Sequence, residues 1–313
     1  MFEIKRYTPD QQQVWNDFVA RSKNGTFLFD RRYMDYHSDR FSDCSLMVYR
    51  KGNVYALLPA NRTGDTLHSH QGLTYGGLLT DAKATVEGVV QLFEALNVWL
   101  RGEGIRRVTY KAMPWIYHRL PAQEDLYALT QVCHARLLTR EISSSIFLQH
   151  PLRFTESRKS GLRKAHREGL SFAESDDLAA FWKMLDDNLS TRHHTHPVHS
   201  LDELRLLKGR FSERIRLYLI YNKEKTAVGG TLIFDTGQVI HTQYIASTEE
   251  GKAHGALDLL FDELVHHRYC DRICLDFGKS TEQGGRMLNE HLIFQKEGFG
   301  GRGVCYDTYE WEL

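Results

Sequence analysis

From residue 169 onward the apolar positions fall into two distinct periods. "GLSFAES" (169–175) alternates, as a strand with one buried face does. "DDLAAFWKMLDDNL" (176–189) instead sets Leu178, Phe181, Trp182, Leu185 and Leu189 on one helical face, with Asp176 or Asp177 as cap. Ser200 caps a second helix over "LDELRLLKGRF". "RIRLYLIYN" (214–222) and "TAVGGTLIFD" (226–235) form a predicted hairpin turned at "KEK", and "QVIHTQYIAS" (238–247) is a third strand entered through "DTG". A polar, glycine-containing loop in "TEEGKAHGALDLLFDELVHHRY" then opens an amphipathic helix bearing Leu257, Leu260, Phe261 and Leu264. "RICLDFG" (272–278) predicts a buried strand, "GRMLNEHLIFQKEGF" a helix and "GVCYDTYEWEL" a closing strand. The order is β-α-α-β-β-β-α-β-α-β.

The first half carries a similar succession. "FEIKRY" predicts a strand, "DQQQVWNDFVA" a helix, "RRYMDYH" a short helix, and "CSLMVYR" with "VYALLPANR" a hairpin around "KGN". A strand near "LHSHQGLTYGG" leads to the helix "TVEGVVQLFEALNVWL" and the strand "IRRVTYKAM". "LFEAL…IRRVTY" (92–110) and "LFDEL…RICLD" (260–276) fall at matching places of the two halves, the mark of an internal repeat. A length of 313 residues suits two domains, with a boundary near 150.

Composition narrows the classes. Lys+Arg and Asp+Glu both number 40, so no global field draws nucleic acid or an anionic membrane. "MFEIKRYTPDQQQVW" has no apolar run resembling a secretory leader, and no later segment reaches the ~20 apolar residues of a membrane span. Cys44, Cys133, Cys270, Cys274 and Cys305 show no CxxC spacing. A cytoplasmic protein with reduced cysteines is the expectation.

The long antiparallel meander followed by a glycine loop, a helix and a strand resembles the acyl-CoA N-acyltransferase fold, the GNAT type. The resemblance implies an α+β chain of two tandem GNAT-like domains, each a mixed, mostly antiparallel sheet flanked by helices. The first spans 1–150, with the strand 303–313 returning to it; the second spans 151–302 and holds the active cleft. In this fold the pyrophosphate of coenzyme A sits at the start of the helix after the fourth strand, where backbone N–H groups and the helix dipole favour an anion. That place is "EEGKAHGAL": Gly251, Gly255 and Ala256 supply small residues and Lys252 a charge. Leu257 takes the last small position of the family pattern, and Glu249 and Glu250 bring negative charge. "GGLLTDAKATVEG" in the first half offers no such loop.

"SHQGLTYGGLL" (69–79), "GLRKAHREGL" (161–170), "LDFGKSTEQGG" (275–285) and "NEHLIFQKEGFGGR" (289–302) are similar to the FemABX-type aminoacyl and peptidyl transferases among the tandem GNAT proteins. The resemblance implies transfer of an acyl or aminoacyl group from acyl-CoA or aminoacyl-tRNA to an amine, such as that of a peptidoglycan precursor. It also implies an active-site lysine in Lys-x-x-Phe, here Lys296 and Phe299, with Gln295 where the family often carries Phe. A lysine suits acyl transfer, because the tetrahedral intermediate has oxyanion character. The amine must also lose a proton; Asp276, Glu282, Glu297, His241 and Tyr244 are the candidates, with Asp276 and Tyr244 placed beside Lys296 as catalytic. An inert member of the fold that binds a peptide or cell-wall precursor stands as the alternative.

Two stretches carry further chemistry. "RKSGLRKAHR" (158–167) holds five Lys/Arg and a histidine, either a solvated helix face or an anchor for the phosphate of tRNA or of a nucleotide-linked acceptor. Zero net charge favours a small thioester over tRNA, since RNA affinity rests on phosphate neutralisation. "STRHHTHPVH" (190–199) gathers His193, His194, His196 and His199 in one loop without a cysteine or carboxylate cluster, which predicts no metal site. Arg192 and His196, with His241 and Phe299, are instead assigned to the acceptor pocket wall.

Overall fold

The computed structural model describes residues 1–193 and 196–313, with backbone alone at 192 and 193. The chain forms two compact units. One comprises Met1–Glu141, Thr281–Met287 and Cys305–Leu313; the other comprises Ile142–Ser280 and Leu288–Val304.

In the first unit, strands Phe2–Arg6, Leu46–Arg50, Asn53–Leu58 and Leu79–Thr80 make an antiparallel sheet. Strand Thr66–His68 pairs antiparallel with Asn61–Thr63 and parallel with Arg107–Lys111. The last strand, Arg302–Glu312, pairs antiparallel with Arg107–Lys111, Thr308 opposite Lys111 and Glu312 opposite Arg107. Helix Val86–Gly102 begins under Thr85, whose hydroxyl accepts the Gly88 N–H, and buries Val89, Leu92, Phe93, Leu96 and Leu100 along one face. That spacing of three and four residues drives the stripe into a core shared with Tyr110 and Trp311. The strand expected near "LHSHQGLTYGG" is Thr66–His68, at its start, and residues 69–77 beyond it form a loop.

The second unit starts on β1 (Arg136–Phe147) and continues through α1 (Glu156–Arg167), β2 (Ser171–Ser175), α2 (Leu178–His193) and α3 (Leu201–Arg210). The meander β3 (Ile215–Tyr221), β4 (Ala227–Asp235) and β5 (Val239–Ser247) follows. Then come α4 (Glu249–His254), α5 (Ala256–Glu263), β6 (Cys274–Lys279) and α6 (Glu290–Gly298). The sheet order is β1-β6-β5-β4-β3-β2. Only β5 and β6 are parallel, as a strand–helix–strand crossover requires. Ile220, Ile233, Ile240 and Leu275 on the sheet and Leu260, Phe261 and Leu264 on the helix make the core of this unit.

Two local features differ from the periodicity and shape the site. The glycine-containing loop expected before the helix is itself the helix α4, capped by Thr248. Gly255 then breaks the run at φ +79°, in the left-handed region, and its Cα sits so close to Gly161 that a Cβ would fall 2.3 Å from that carbonyl oxygen. The helix expected across "GRMLNEHLIFQKEGF" shrinks to Glu290–Gly298, because Asn289 caps it by accepting the Leu292 N–H.

Candidate active site

Strands β5 and β6 part within their length. They pair only through Val239–Cys274, Ile240–Leu275 and His241–Asp276. Beyond that point β5 stays with β4 as far as Ser247, while β6 stays with β1, Lys279 opposite Ser143. β5 also bulges: Thr242 faces Ile233 and Tyr244 faces Leu232, leaving Gln243 as the extra residue. Parted strands leave room that the sheet would otherwise fill.

A cavity of about 550 Å³ lies in this region. Its walls come from α2 (Leu185, Asn188, Leu189), the end of β5 (Ile245, Ala246, Ser247), the start of α5 (Gly255 to Asp258, with Phe261), Phe277 on β6, and α6 with its C-cap (His291, Leu292, Phe294, Gln295, Lys296, Phe299). Arg158 of α1 and Lys252 of α4 add cations. The volume is that of a small-molecule site. The N–H groups of Asp258 and Leu259 donate to the Gly255 carbonyl in the first turn of α5, and the helix dipole makes that start a favourable place for negative charge.

Of the residues singled out from sequence, Lys252, Gly255, Ala256, Lys296 and Phe299 come together on this cavity. Lys296 is 4% exposed. Its ammonium donates to the carbonyls of Gly278 (2.7 Å) and Lys279 (3.0 Å) and to Ser280 Oγ (2.8 Å). Burial pulls its pKa down to about 8, against the opposing pull of the Asp276 carboxylate. Phe299 is buried in an aromatic group with Phe261, at 4.8 Å between ring centroids, and Phe154, at 5.4 Å. Lys252 donates to Glu249 Oε1 at 2.8 Å.

The remaining ones lie apart from the cavity lining. Asp276 is fully buried and accepts from the hydroxyls of Ser143 and Ser145 (2.8 Å to the latter), while its other oxygen meets His241 Nδ1 at 3.1 Å. The carboxylate thus touches other side chains of β1 and β5, and His241 is 8% exposed beside it. Tyr244 OH lies 2.6 Å from His199 Nδ1 and accepts the His199 N–H, and burial raises its pKa. Gly251 is buried, its N–H spent on Thr248 Oγ1. His196 is an exposed partner of Asp186, 2.7 Å away. The side chain of Arg192 lies outside the described residues, as do those of His193 and His194. Among the described residues no three His, Cys, Asp or Glu side chains gather where they could hold a metal ion. No helix among them is long and apolar enough to cross a membrane.

Sequence reasoning passed over Asp258, His291, Asn188 and Phe277 as site residues, and placed Leu185 and Phe261 only on apolar helix faces. Arg158 was visible only as one charge in a basic run. Nothing local marks these residues, since the partners that give them meaning are far away in sequence.

The fold and this opening have counterparts among known proteins. Residues 153–283 match the model of the acetyltransferase (GNAT) domain, so the second unit contains an acyltransferase domain of GNAT type. No curated protein matches the chain. Among solved structures, FemX superposes with a TM-score of 0.68 at 12% identity, covering 99% of this chain and 97% of that one. L-PGS from Bacillus licheniformis gives 0.60 at 12% identity, over 97% and 92%. A tandem GNAT protein from the clavulanic acid biosynthesis pathway gives 0.50 at 12% identity, over 100% and 98%. In fold, then, the chain is an α+β tandem GNAT protein of FemX-like architecture.

Proposed function

We propose that the protein transfers an acyl or aminoacyl group from a thioester such as acetyl-CoA, or from aminoacyl-tRNA, to an amine, and that a peptidoglycan-related precursor in the cytoplasm is the acceptor class. The observation that carries this reading is the cavity where β5 and β6 part, bounded at one end by the start of α5 and at another by Lys296. Gly255, Ala256 and Lys252 at the helix start suit the phosphate-bearing part of a donor, with Gly251 shaping the preceding turn; Phe299 and the other apolar walls suit the acyl chain.

In the reaction the amine nitrogen attacks the carbonyl carbon, forming the C–N bond. The C–S bond of a thioester, or the C–O bond of an ester, then breaks with its electron pair on the leaving group. The amine's proton ends on that group by way of a base. Lys296 bears on the oxyanion of the intermediate through its buried positive charge, since its hydrogens are engaged with Gly278, Lys279 and Ser280. Asp276 acts by orienting His241, which leaves His241 or Tyr244 to relay the proton. Arg192, in the last turn of α2, and His196, in the connection to α3, are proposed to meet the acceptor.

The test is to incubate the protein with acetyl-CoA, longer acyl-CoA or charged tRNA together with an amine-bearing muropeptide, and to search for the amide by mass spectrometry. A donor that is used should also raise the melting temperature. Absence of product and of any thermal shift with every donor would favour a binding protein without turnover.

A further inference from the structure

The positive end of the cavity is built around a side chain from a different element than the helix start. Arg158, in the first turn of α1, lies with its guanidinium carbon 5.1 Å from the centroid of the Phe299 ring. Its Nη1 donates to Asp258 Oδ1 at 3.1 Å. The other donors of this planar group, at Nε and Nη2, meet no acceptor among the described residues, and the side chain is 24% exposed at the cavity wall. By contrast, Lys252 is paired with Glu249, and Lys296 is engaged with two carbonyls and a hydroxyl. Arg158 is therefore the cavity's least committed cation.

Asp258 is the only carboxylate among the lining residues, and its place is made for it. A Cβ on Gly161 would fall 2.1 Å from Asp258 Oδ2, so α1 admits the carboxylate only because that position is glycine. A guanidinium lying over a ring and held at one nitrogen has less freedom left to lose, and its open edge matches two oxygens of a phosphate. The neighbouring start of α5 adds its dipole in the same direction.

We propose that Arg158 binds a phosphate group of the donor in this cavity, and that Asp258 is the positioning residue that holds the guanidinium over the Phe299 ring. The proposal rests on the transferase reading. Two donors present such a phosphate, the pyrophosphate of coenzyme A and the 3′ end of an RNA, and the experiment separates them.

Coenzyme A and, in a second series, an RNA hairpin ending in CCA are titrated calorimetrically into the wild-type protein and into R158Q, R158K, D258A and D258N, with melting temperatures recorded for each. The probe bound by the wild type identifies the source. R158Q should weaken that probe at least about tenfold, and R158K nearly as much, because an ammonium cannot present two parallel N–H groups as a guanidinium fork does. D258A should weaken it too, whereas D258N, which keeps an oxygen for Nη1, should restore most of the affinity. Pantetheine, which has no phosphate, should not distinguish wild type from R158Q. Equal binding by wild type and R158Q overturns the proposal and leaves the transferase reading standing. Equal loss in D258A and D258N removes the positioning role of Asp258. Binding of neither probe by the wild type overturns the donor reading and this proposal together.

Discussion

Each unit places a helix before a strand, and the two pairs are finished differently. In the first unit, helix Val86–Gly102 starts beneath Thr85, and the first turn is covered by Tyr55: a Cβ on Gly88 would meet the Tyr55 hydroxyl at 2.2 Å. The strand after it carries Tyr110, wholly buried, whose hydroxyl donates to Asp125 at 2.5 Å and accepts the Leu78 N–H at 2.6 Å. In the second unit the start of α5 faces a cavity, and β6 has left its neighbour β5. One pair closes over its helix start inside a core, with the Tyr110 hydroxyl partnered on both sides; the other keeps a guanidinium with donors to spare. Displaced pKa values occur in both, and their settings differ. Burial raises Asp125 to about 6 within the first core, while Lys296, lowered to about 8, lines the open cavity. A shifted pKa thus marks a candidate site only where the group also faces space that a ligand can fill.

This contrast can be broken or sharpened experimentally. The largest effect is expected at Lys296. K296A should cut transfer at least about 100-fold with the fold retained. In the wild type the rate should fall as pH rises through about 8, where the ammonium gives up its proton. A rate that stays level up to strongly alkaline pH would remove the charge of Lys296 from the reaction.

Next in size are changes of stability. G255A forces a β-carbon into a left-handed conformation and against the Gly161 carbonyl, and should cost at least about 2 kcal/mol in denaturant unfolding. Asp125 should show itself in the pH dependence of stability. Its folded-state pKa of about 6 lies above the usual carboxylate value near 3.8, so between those values the native protein holds a proton that the unfolded chain releases. Stability should therefore fall as pH rises across this window, by up to about 3 kcal/mol, and D125N should flatten that slope. A wild-type profile without the slope would show that the carboxyl is better solvated than its burial implies.

The smallest effects make a matched pair. Thr85 and Thr248 each cap a helix by accepting an N–H, from Gly88 and Gly251. T85A and T248A should each cost about 1 kcal/mol. Only T248A, next to the cavity, should also change donor affinity. Equal affinities would place the cap of α4 outside the recognition of ligand.

Much of the architecture was legible from periodicity, because a meander of alternating strands and a helix with apolar residues at spacings of three and four leave strong local patterns. Strand β5 and helix α2 belong to this class. The interruption at Gly255 was less legible: a helix on either side of a left-handed residue has the composition of a polar loop followed by a helix. The resemblance brought out Lys296 and Phe299, whereas their setting comes from two carbonyls and a hydroxyl 16 to 18 residues before Lys296 and from α1. Arg158 finds Asp258 a hundred residues on, and Asp276 finds Ser143 and Ser145 more than 130 residues back. No window on the chain contains such pairs, so the basic run reads equally as a solvated helix face or a phosphate anchor, and its partner Asp258 stays hidden until the helices are brought together.

The strand Arg302–Glu312 carries one more consequence. Its pairing with Arg107–Lys111 and the insertion of Trp311, whose indole N–H reaches Asn97, make the first unit depend on residues synthesised after nearly all of the second. During translation the earlier unit must wait, with its hydrophobic interior unfinished, until the ribosome has delivered the later one. A fragment ending at residue 141 should accordingly behave as an aggregation-prone intermediate, which a synthetic peptide spanning 302–313 would rescue by restoring the strand missing beside Arg107–Lys111.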